Sequence, residues 1–491
     1  MAEETQNKDA GQENGGDEEK KLQMLGIEPR ETSHGIQLER RTLQYTARAG
    51  VIPLEDDQGE VEAEIFFTAY ERENGEDRSR RPLTFVFNGG PGSSSVWLHM
   101  GAVGPRRVVM EPKGWMPSPP YHLVDNEHTW LDKTDLVFID PVGTGYSRAA
   151  KEELREKFWS FQGDLDSMGE FIRLYLTRYQ RWSSPLFLAG ESYGTTRAAG
   201  LAGQLVDEGI AFNGIVLIST ALNLRPIFFE QGDDLPFQLF VPTYAATAWY
   251  HEKLEPELQE KELTEVLAEV EAWSEGELTT ALMKGDRLSE EEHAEVARKL
   301  ARYTGLDPAY VSGTNLRINI YRFCKELLRE EKRSVGRIDS RFKGVEALAV
   351  TEKPEFDPSM LAITPPYTST FNDYARSALG METDLTYQVM NREVGKEWGW
   401  EKGTLPSTGE NLRSAMAKNP FMKVFVGQGY YDLATPHFAT LYMISHMNVD
   451  PALRDNVQIA YYQAGHMYYL DLVSLAAFKQ DIDAFLDSAL I

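Results

Sequence analysis

Cysteine is almost missing from this sequence. Cys324 is the one cysteine among 491 residues, so no intrachain disulfide can form. The chain therefore has no feature that calls for an oxidising compartment. Cys324 lies in a stretch with helical apolar periodicity, residues 315–328, and we expect it to be an inert, packed side chain.

Long hydrophobic runs are missing as well. No segment approaches the roughly 20 apolar residues that a membrane-spanning helix needs. Residues 1–21 are polar and mostly acidic, without the apolar centre of a secretory signal. We expect residues 1–30 to form a disordered acidic tail. These absences predict a cytoplasmic protein, or a secreted or periplasmic one if a leader has been removed.

Positive charge is scarce. Lys and Arg number 50 against 76 Asp and Glu, which gives a formal net charge of −26. Such a surface repels nucleic acid and anionic membranes, so neither is an expected partner. The Cys, His and carboxylate residues show no metal-ligand spacing, and we expect neither a metal nor a cofactor.

Strand-like and helix-like segments alternate along much of the chain. A hairpin of residues 42–47 and 61–70 is predicted first. Short apolar strands then alternate with helical patterns. The strands are 82–87, 135–139, 185–189, 214–218, 422–426 and 457–461, and the helices are 163–182, 195–208 and 472–486. This alternation predicts an α/β fold with a mostly parallel central sheet and covered faces.

The pattern changes from about Arg225 to Glu410. Long charged amphipathic segments, such as 255–273 and 289–303, are interrupted there by proline and glycine. This composition predicts a mainly helical insertion, or lid. The predicted parts of the chain are the tail (1–30), the first part of the core (31–224), the insertion (225–410) and the second part of the core (411–491).

The most informative motif is Gly-Glu-Ser-Tyr-Gly at 190–194, between an apolar strand and a helix. This is the pattern of a nucleophile elbow, a sharp strand-to-helix turn that exposes a serine. Gly190 and Gly194 lack the Cβ atoms that the turn would crowd. Ser192 is therefore the predicted nucleophile of a hydrolase or acyl-transfer enzyme.

A serine nucleophile needs a histidine to take its proton. The chain order Ser, Asp or Glu, His of α/β hydrolases leaves three of the nine histidines. His466 follows the strand 457–461, and active groups of α/β sheets lie at the carboxyl ends of strands. His466 is the predicted base. His437 and His446 fall in a predicted helix and are interpreted as packing or surface residues.

The acid that orients the base is predicted at Asp432, which follows the strand 422–426. The insertion accounts for its long separation from Ser192 along the chain. Asp450 and Asp455 precede a strand instead of following one, and they are weaker candidates.

An oxyanion hole needs backbone N–H groups directed at the developing negative charge. One is predicted at Tyr193, directly after the nucleophile. The other is predicted in the glycine-rich loop 88–92, which follows the strand 82–87. The alternative interpretation of this loop is a simple turn. The elbow, Asp432 and His466 in the required order favour the oxyanion hole.

Four motifs together resemble those of the serine carboxypeptidase family. They are Asn-Gly-Gly-Pro-Gly-Ser-Ser-Ser at 88–95, Asp-Leu-Val-Phe-Ile-Asp-Pro-Val-Gly-Thr-Gly-Tyr-Ser at 135–147, Gly-Glu-Ser-Tyr-Gly at 190–194 and Gly-His-Met at 465–467. The resemblance runs from about residue 82 to the C-terminus. It implies an α/β-hydrolase fold with a helical lid and the removal of C-terminal residues from peptides with a free C-terminus. It is compatible with a homodimer, which no residue here indicates.

The resemblance also implies individual roles. They are a catalytic triad of Ser192, Asp432 and His466, an oxyanion hole of the Gly90 and Tyr193 N–H groups, and binding of the substrate's terminal carboxylate by Asn88, Gly89 and Glu191. Two carboxylates share a hydrogen bond only when one is protonated. The pKa of Glu191 is therefore expected to be raised, and peptide hydrolysis is expected to favour acidic pH.

The chain departs from the family pattern in three places. Ala102 stands where the family has a second carboxylate-binding glutamate, which leaves the pH optimum and the strength of exopeptidase specificity open. Ser93 stands at the usual cysteine of the glycine loop, and the family's disulfides cannot form. No secretory signal is visible. The missing disulfides suggest an intracellular or bacterial-type member.

The leading hypothesis is a serine-type carboxypeptidase that forms an acyl-enzyme on Ser192. An esterase, acyltransferase or aminopeptidase with the same triad is an alternative, as is a catalytically silent binding protein.

Overall fold

The computed structural model describes residues 22–38, 41–73, 77–400 and 405–490. The first 21 residues of the predicted tail lie outside the described residues. The rest of that tail is ordered, because its backbone bonds to the core: Leu22 N–H donates to Ala150 O at 3.1 Å, and Val51 N–H donates to Ile27 O at 3.2 Å.

The strands of the described residues form one large sheet and two small hairpins. In chain order they are β1 (Arg30–Leu38), β2 (Arg41–Glu55), β3 (Val61–Arg72), β4 (Leu83–Phe87), β5 (Arg106–Val108), β6 (Leu123–Asp125), β7 (Asp135–Ile139), β8 (Arg148–Ala149), β9 (Leu186–Ser192), β10 (Gly214–Thr220), β11 (Arg333–Val335), β12 (Lys343–Val345), β13 (Lys423–Gly429) and β14 (Val457–Tyr462). The order in the large sheet is β1-β2-β3-β7-β4-β9-β10-β13-β14, and β8 pairs with β3.

The two halves of the large sheet differ in direction. Strands β1, β2 and β3 pair antiparallel, and β3 is antiparallel to β7. From β7 to β14 every neighbouring pair is parallel. The parallel strands β4, β7 and β10 are buried along their whole length, as expected when helices cover both faces. The predicted α/β-hydrolase fold with a mostly parallel sheet is confirmed.

Helices occur before, within and after the insertion. Before it lie α1 (Val96–Leu98), α2 (Arg155–Phe158), α3 (Phe161–Arg178) and α4 (Tyr193–Asp207). Within it lie α5 (Leu235–Leu239), α6 (Val241–Tyr250), α7 (Pro256–Gln259), α8 (Leu263–Trp273), α9 (Thr279–Lys284), α10 (Glu290–Thr304), α11 (Pro308–Gly313), α12 (Ile320–Glu326), α13 (Pro358–Ser377) and α14 (Arg392–Glu397). Helix α15 (Gly409–Lys418) begins at the C-terminal limit of the insertion, and α16 (His437–Ser445) and α17 (Leu472–Ser488) lie after it. The charged segment 255–273 is not one helix, because the helical structure is interrupted between α7 and α8.

Successive residues of the central strands enter two different cores. In β9, Phe187 and Ala189 belong to one buried cluster, and Leu186 and Leu188 belong to the other. This alternation is the two-residue period of a strand with both faces covered. The insertion has a third cluster, in which Tyr244 stacks on Phe323 with ring centroids 4.0 Å apart.

The limits of the insertion, 225 and 410, stay a prediction. Helix α13 lies inside these limits, yet its residues Ile363, Tyr367 and Phe371 belong to a cluster of the central sheet. Cys324 is buried in α12, and burial raises the pKa of its thiol. Among the described residues, none of the helices combines the length and apolar character that crossing a bilayer requires.

Candidate active site

Ser192 lies at the turn from β9 into α4. Its backbone has φ 59° and ψ −127°, a conformation that a residue with a side chain rarely adopts. A Cβ atom on Gly190 would overlap the carbonyl oxygen of Gly194, and one on Gly194 would lie 2.9 Å from Phe87 O. Glycine at both positions thus lets the chain turn sharply, and Ser192 is left partly exposed.

Asp432 and His466 are in direct contact. His466 Nδ1 lies 2.7 Å from Asp432 Oδ2, and both side chains are buried. Burial of the ring by itself lowers the pKa of His466, but the charge and hydrogen bond of Asp432 outweigh burial, so the pKa is raised overall. The structure therefore brings together the predicted base and the predicted acid in the arrangement that stabilises a protonated imidazole.

The Asp432 carboxylate is held by several donors. Its Oδ1 accepts from the N–H groups of Ala434 and Thr435 at 2.7 and 2.9 Å. Its Oδ2 accepts from Thr435 Oγ1 at 2.7 Å and from Gln428 Nε2 at 3.2 Å. These bonds fix the carboxylate on the loop after β13, with one oxygen directed at His466.

The loop after β14 that carries His466 is also fixed. The His466 N–H donates to Ile338 O at 2.6 Å, and Ser219 Oγ donates to His466 O at 2.5 Å. Ser219 precedes Thr220, which pairs with Ser192 between β10 and β9. Ser192 and His466 are thus anchored at neighbouring strand ends. No hydrogen bond joins Ser192 Oγ to His466 among the described residues, and such catalytic bonds often form only with substrate bound.

The glycine-rich loop after β4 lies against the elbow. A Cβ atom on Gly89 would overlap the backbone nitrogen of Tyr193, so this close approach requires glycine. Gly90 has φ +106°, in the left-handed region that favours glycine. Tyr193 is the first residue of α4, so its N–H has no carbonyl one turn earlier in the helix to bond. The predicted oxyanion groups are therefore neighbours in space.

Asn88, the first residue of this loop, and Glu191, which precedes Ser192, are both buried. Asn88 Oδ1 accepts from Leu98 N–H at 3.1 Å, while its Nδ2 has no hydrogen-bond partner among the described residues. Burial raises the pKa of Glu191 to about 7, although the nearby His466, Tyr469 and Asn88 act in the opposite direction. The Asn88 amide is close enough to influence Glu191 without the geometry of a hydrogen bond, so Nδ2 keeps a free donor.

The sequence analysis missed several residues that support the site. Tyr469 donates to Glu191 Oε2 at 2.6 Å, and Thr435 binds Asp432. Arg197 forms a buried ion pair with Asp164 and donates to Asn88 O at 2.6 Å, and this hydrogen bond holds the glycine-rich loop in place. Arg197 could have been found from the sequence, because it is a charged residue in a stretch of small residues directly after the elbow. No local pattern indicates the other two contacts.

The other candidates that the sequence analysis weighed for the base and the acid lie elsewhere. His437 is buried in α16 and contacts Glu271 and Thr243, and His446 is exposed. Asp450 caps the short helix that contains Asp455. These placements agree with packing, surface or capping roles.

Comparison with known proteins places the chain in a family. A family model described as serine carboxypeptidase matches residues 40–468. The pheromone-processing carboxypeptidase KEX1 of Saccharomyces cerevisiae is 33% identical over 156 residues, which cover 30% of this chain and 20% of that protein. KEX1 of Phaeosphaeria nodorum is 35% identical over 144 residues, which cover 27% of this chain and 20% of that protein. The match therefore spans about a fifth of these relatives.

A solved structure extends the similarity to the whole fold. The crystal structure of Kex1(delta)p, a prohormone-processing carboxypeptidase from Saccharomyces cerevisiae, superposes with a TM-score of 0.55 and covers 90% of this chain and 91% of that one. The sequence identity is 17%, so this likeness shows the fold alone. With the family model matching most of its length, the chain belongs to the serine carboxypeptidase family.

Proposed function

We propose that this chain is a serine carboxypeptidase that hydrolyses the last peptide bond of substrates with a free C-terminus. The observation that carries the proposal is the buried His466–Asp432 pair at the strand end next to the strained turn of Ser192. The similarity to pheromone-processing carboxypeptidases supports peptides as the substrate class.

In the proposed reaction, Ser192 Oγ attacks the carbonyl carbon of the last peptide bond while His466 takes the hydroxyl proton. His466 then gives this proton to the leaving amine, and the C–N bond breaks to leave an acyl-enzyme. Water attacks the acyl-enzyme with His466 as base, which releases the shortened peptide and restores Ser192. Asp432 orients the imidazole and stabilises its protonated form.

The N–H groups of Gly90 and Tyr193 are the proposed oxyanion hole. The contact between the glycine loop and the elbow supports this role, because it holds both amides at one place before substrate arrives. No reorganisation of the backbone is then needed as negative charge develops.

Asn88, Gly89 and Glu191 are the proposed site for the terminal carboxylate. The free Nδ2 donor of Asn88 supports this role, because a buried donor without a partner is costly unless a ligand supplies one. Glu191 contributes only when protonated, since it must donate to another carboxylate.

The experiment is mass spectrometry of one peptide with a free and with an amidated C-terminus. We expect residues to be lost one at a time from the free C-terminus and much more slowly from the amide. Ser192→Ala should slow the reaction roughly a millionfold. Loss of residues from the N-terminus would identify an aminopeptidase, and cleavage of esters alone would identify an esterase. If a fluorophosphonate failed to label Ser192, the chain would be a catalytically silent binding protein.

Two further properties are proposals with their own tests. A cytoplasmic location is supported by the single, buried Cys324 and is tested by cell fractionation. A homodimer is supported by the family resemblance alone, and light scattering of the purified chain tests it.

A further inference from the structure

Glu191 has a hydrogen-bond partner, Tyr469, that the resemblance to the serine carboxypeptidase family does not predict. Tyr469 lies three residues after His466 and 278 positions from Glu191, and its hydroxyl donates to Glu191 Oε2 at 2.6 Å. Both side chains are buried. Burial holds the pKa of Tyr469 well above its ordinary value, so the hydroxyl keeps its proton and acts as the donor.

Tyr469 occupies space close to the missing second glutamate. Ala102, at the position of that glutamate, is buried with a side chain that cannot hydrogen bond. A Cβ atom on the preceding Gly101 would lie 2.6 Å from Tyr367 Oη and 2.7 Å from the Tyr469 ring. The Tyr367 hydroxyl and the Tyr469 ring therefore pack against the backbone at this point, and Tyr469 supplies the hydrogen bond to Glu191.

We propose that Tyr469 is a positioning residue for Glu191, whose carboxyl group it holds through a hydroxyl–carboxyl hydrogen bond. The hydroxyl makes Oε2 an acceptor. When Glu191 is protonated, its proton is then held on Oε1, which donates to the terminal carboxylate of the peptide. This role rests on the proposed function.

The proposal has a consequence for pH dependence. The other groups that act on Glu191 or are influenced by its charge are His466, Asp432, Asn88, Tyr367 and Tyr468. Burial raises the pKa values of both tyrosines, so they stay neutral where Glu191 titrates. Recognition of the substrate's terminal carboxylate then depends on the titration of Glu191 alone. As pH rises, this recognition should be lost with the release of a single proton.

The direct test is Tyr469→Phe, with Tyr468→Phe as the matched control. The Tyr468 hydroxyl is buried and has no hydrogen-bond partner in the part of the chain that the structure describes. Each variant is assayed from pH 5 to 9 on a peptide with a free C-terminus and on an ester substrate without a terminal carboxylate. Thermal unfolding shows whether both variants fold.

For Tyr469→Phe we expect kcat/KM on the free-acid peptide to fall about tenfold more than on the ester, mostly through KM. In the pH profile of kcat/KM on the free-acid peptide, the decline at alkaline pH (the alkaline limb) should move to higher pH. The reason is that the lost donor favoured the ionised form of Glu191. Tyr468→Phe should change neither the substrate ratio nor the limb. Equal losses on both substrates, or an unmoved limb, would overturn the proposal.

A second variant tests the same arrangement without removing the tyrosine. In Glu191→Gln the side-chain carbonyl can accept from Tyr469 while the NH2 group donates to the substrate at any pH. We expect kcat/KM on the free-acid peptide to exceed that of the wild type at pH 9, and this gain should disappear when Tyr469→Phe is added. A gain of the same size in both backgrounds contradicts the role of Tyr469.

These outcomes separate the two proposals. If the wild type hydrolyses the ester but not the free-acid peptide, the proposed function is wrong and the role of Tyr469 falls with it. If the wild type prefers the free acid and Tyr469→Phe leaves this preference intact, only the role of Tyr469 is wrong.

Discussion

The two sides of the site differ in how completely their polar groups are paired. On one side, the Asp432 carboxylate accepts bonds from Gln428, Ala434 and Thr435 and contacts His466. On the other side, Asn88 Nδ2 has no partner among the described residues, and burial raises the pKa of Glu191 to about 7. The Asp432 carboxylate is fully paired without a substrate, and the Asn88 amide is not.

Under the proposed function, this difference gives the two sides separate tasks. The acid–base side is fixed in advance, so its geometry serves any acyl substrate that reaches Ser192. The recognition side contains a free donor and a carboxyl that is readily protonated, and both gain a partner when a terminal carboxylate binds. Changes on the first side should therefore affect all substrates, and changes on the second should affect peptides with a free C-terminus.

Apart from Ser192→Ala, the largest effect on the acid–base side is expected for Asp432→Asn. An asparagine can stabilise neither the required tautomer of His466 nor its charge, so kcat should fall about ten-thousandfold. The loss should be equal for peptides and esters, measured as kcat of each under saturating substrate. A loss confined to peptides would contradict the division between the two sides.

The largest effect on the recognition side is expected for Asn88→Ala. The loss of a buried donor to a charged ligand should reduce kcat/KM for free-acid peptides about thirtyfold. Ester hydrolysis serves as the internal control and should fall less than threefold. Unfolding by denaturant should detect the cost of leaving Leu98 N–H without its acceptor, about 1 kcal/mol. Equal losses on the two substrates would show that Asn88 does not recognise the carboxylate.

The strands that precede the four predicted motifs were predicted correctly from residues close together in the chain. The apolar strands before the glycine loop, the elbow, Asp432 and His466 are all present, as β4, β9, β13 and β14. Each motif follows such a strand directly, so the parallel sheet brings them to one edge. The strand β1 was missed because it lies at the sheet edge and has only two buried apolar side chains, Ile36 and Leu38, both near its end.

Contacts between distant parts of the chain could not be predicted. The Tyr469–Glu191 bond depends on how the loop after β14 packs against the elbow, and the Arg197–Asp164 pair depends on how α4 packs on α3. Neither contact has a spacing that a sequence pattern reveals. The sequence thus predicts which residues are the candidates for catalysis, while the packing determines which residues hold them in place.

The pH dependence of activity should also differ between peptide and ester substrates. His466 must be neutral to act as base, and its pKa is raised above 6.5 because Asp432 outweighs burial, so activity on both substrates should rise with pH. Glu191 must be protonated to bind a carboxylate, so activity on the free-acid peptide should fall as pH rises through about 7. At higher pH, kcat/KM should decrease about tenfold for each pH unit.

The ester should lack this alkaline limb, because its hydrolysis does not use Glu191. The peptide profile is thus expected to be a bell near neutral pH, whose apparent pKa values belong to the interacting His466 and Glu191 pair. Profiles of kcat/KM from pH 5 to 9 measure both curves. An alkaline decline shared by the ester would assign that limb to another group.

The smallest effect is expected for Thr435→Val. This change removes one of the donors to Asp432 Oδ2, so a net loss of about 1 kcal/mol should lower kcat about fivefold on peptides and esters alike. Thr440→Val is the matched control, because the buried Thr440 hydroxyl donates to Gln428 and not to Asp432. If Thr435→Val changed the peptide-to-ester ratio, the acid–base side would also contribute to recognition, and the two sides could not be treated as independent.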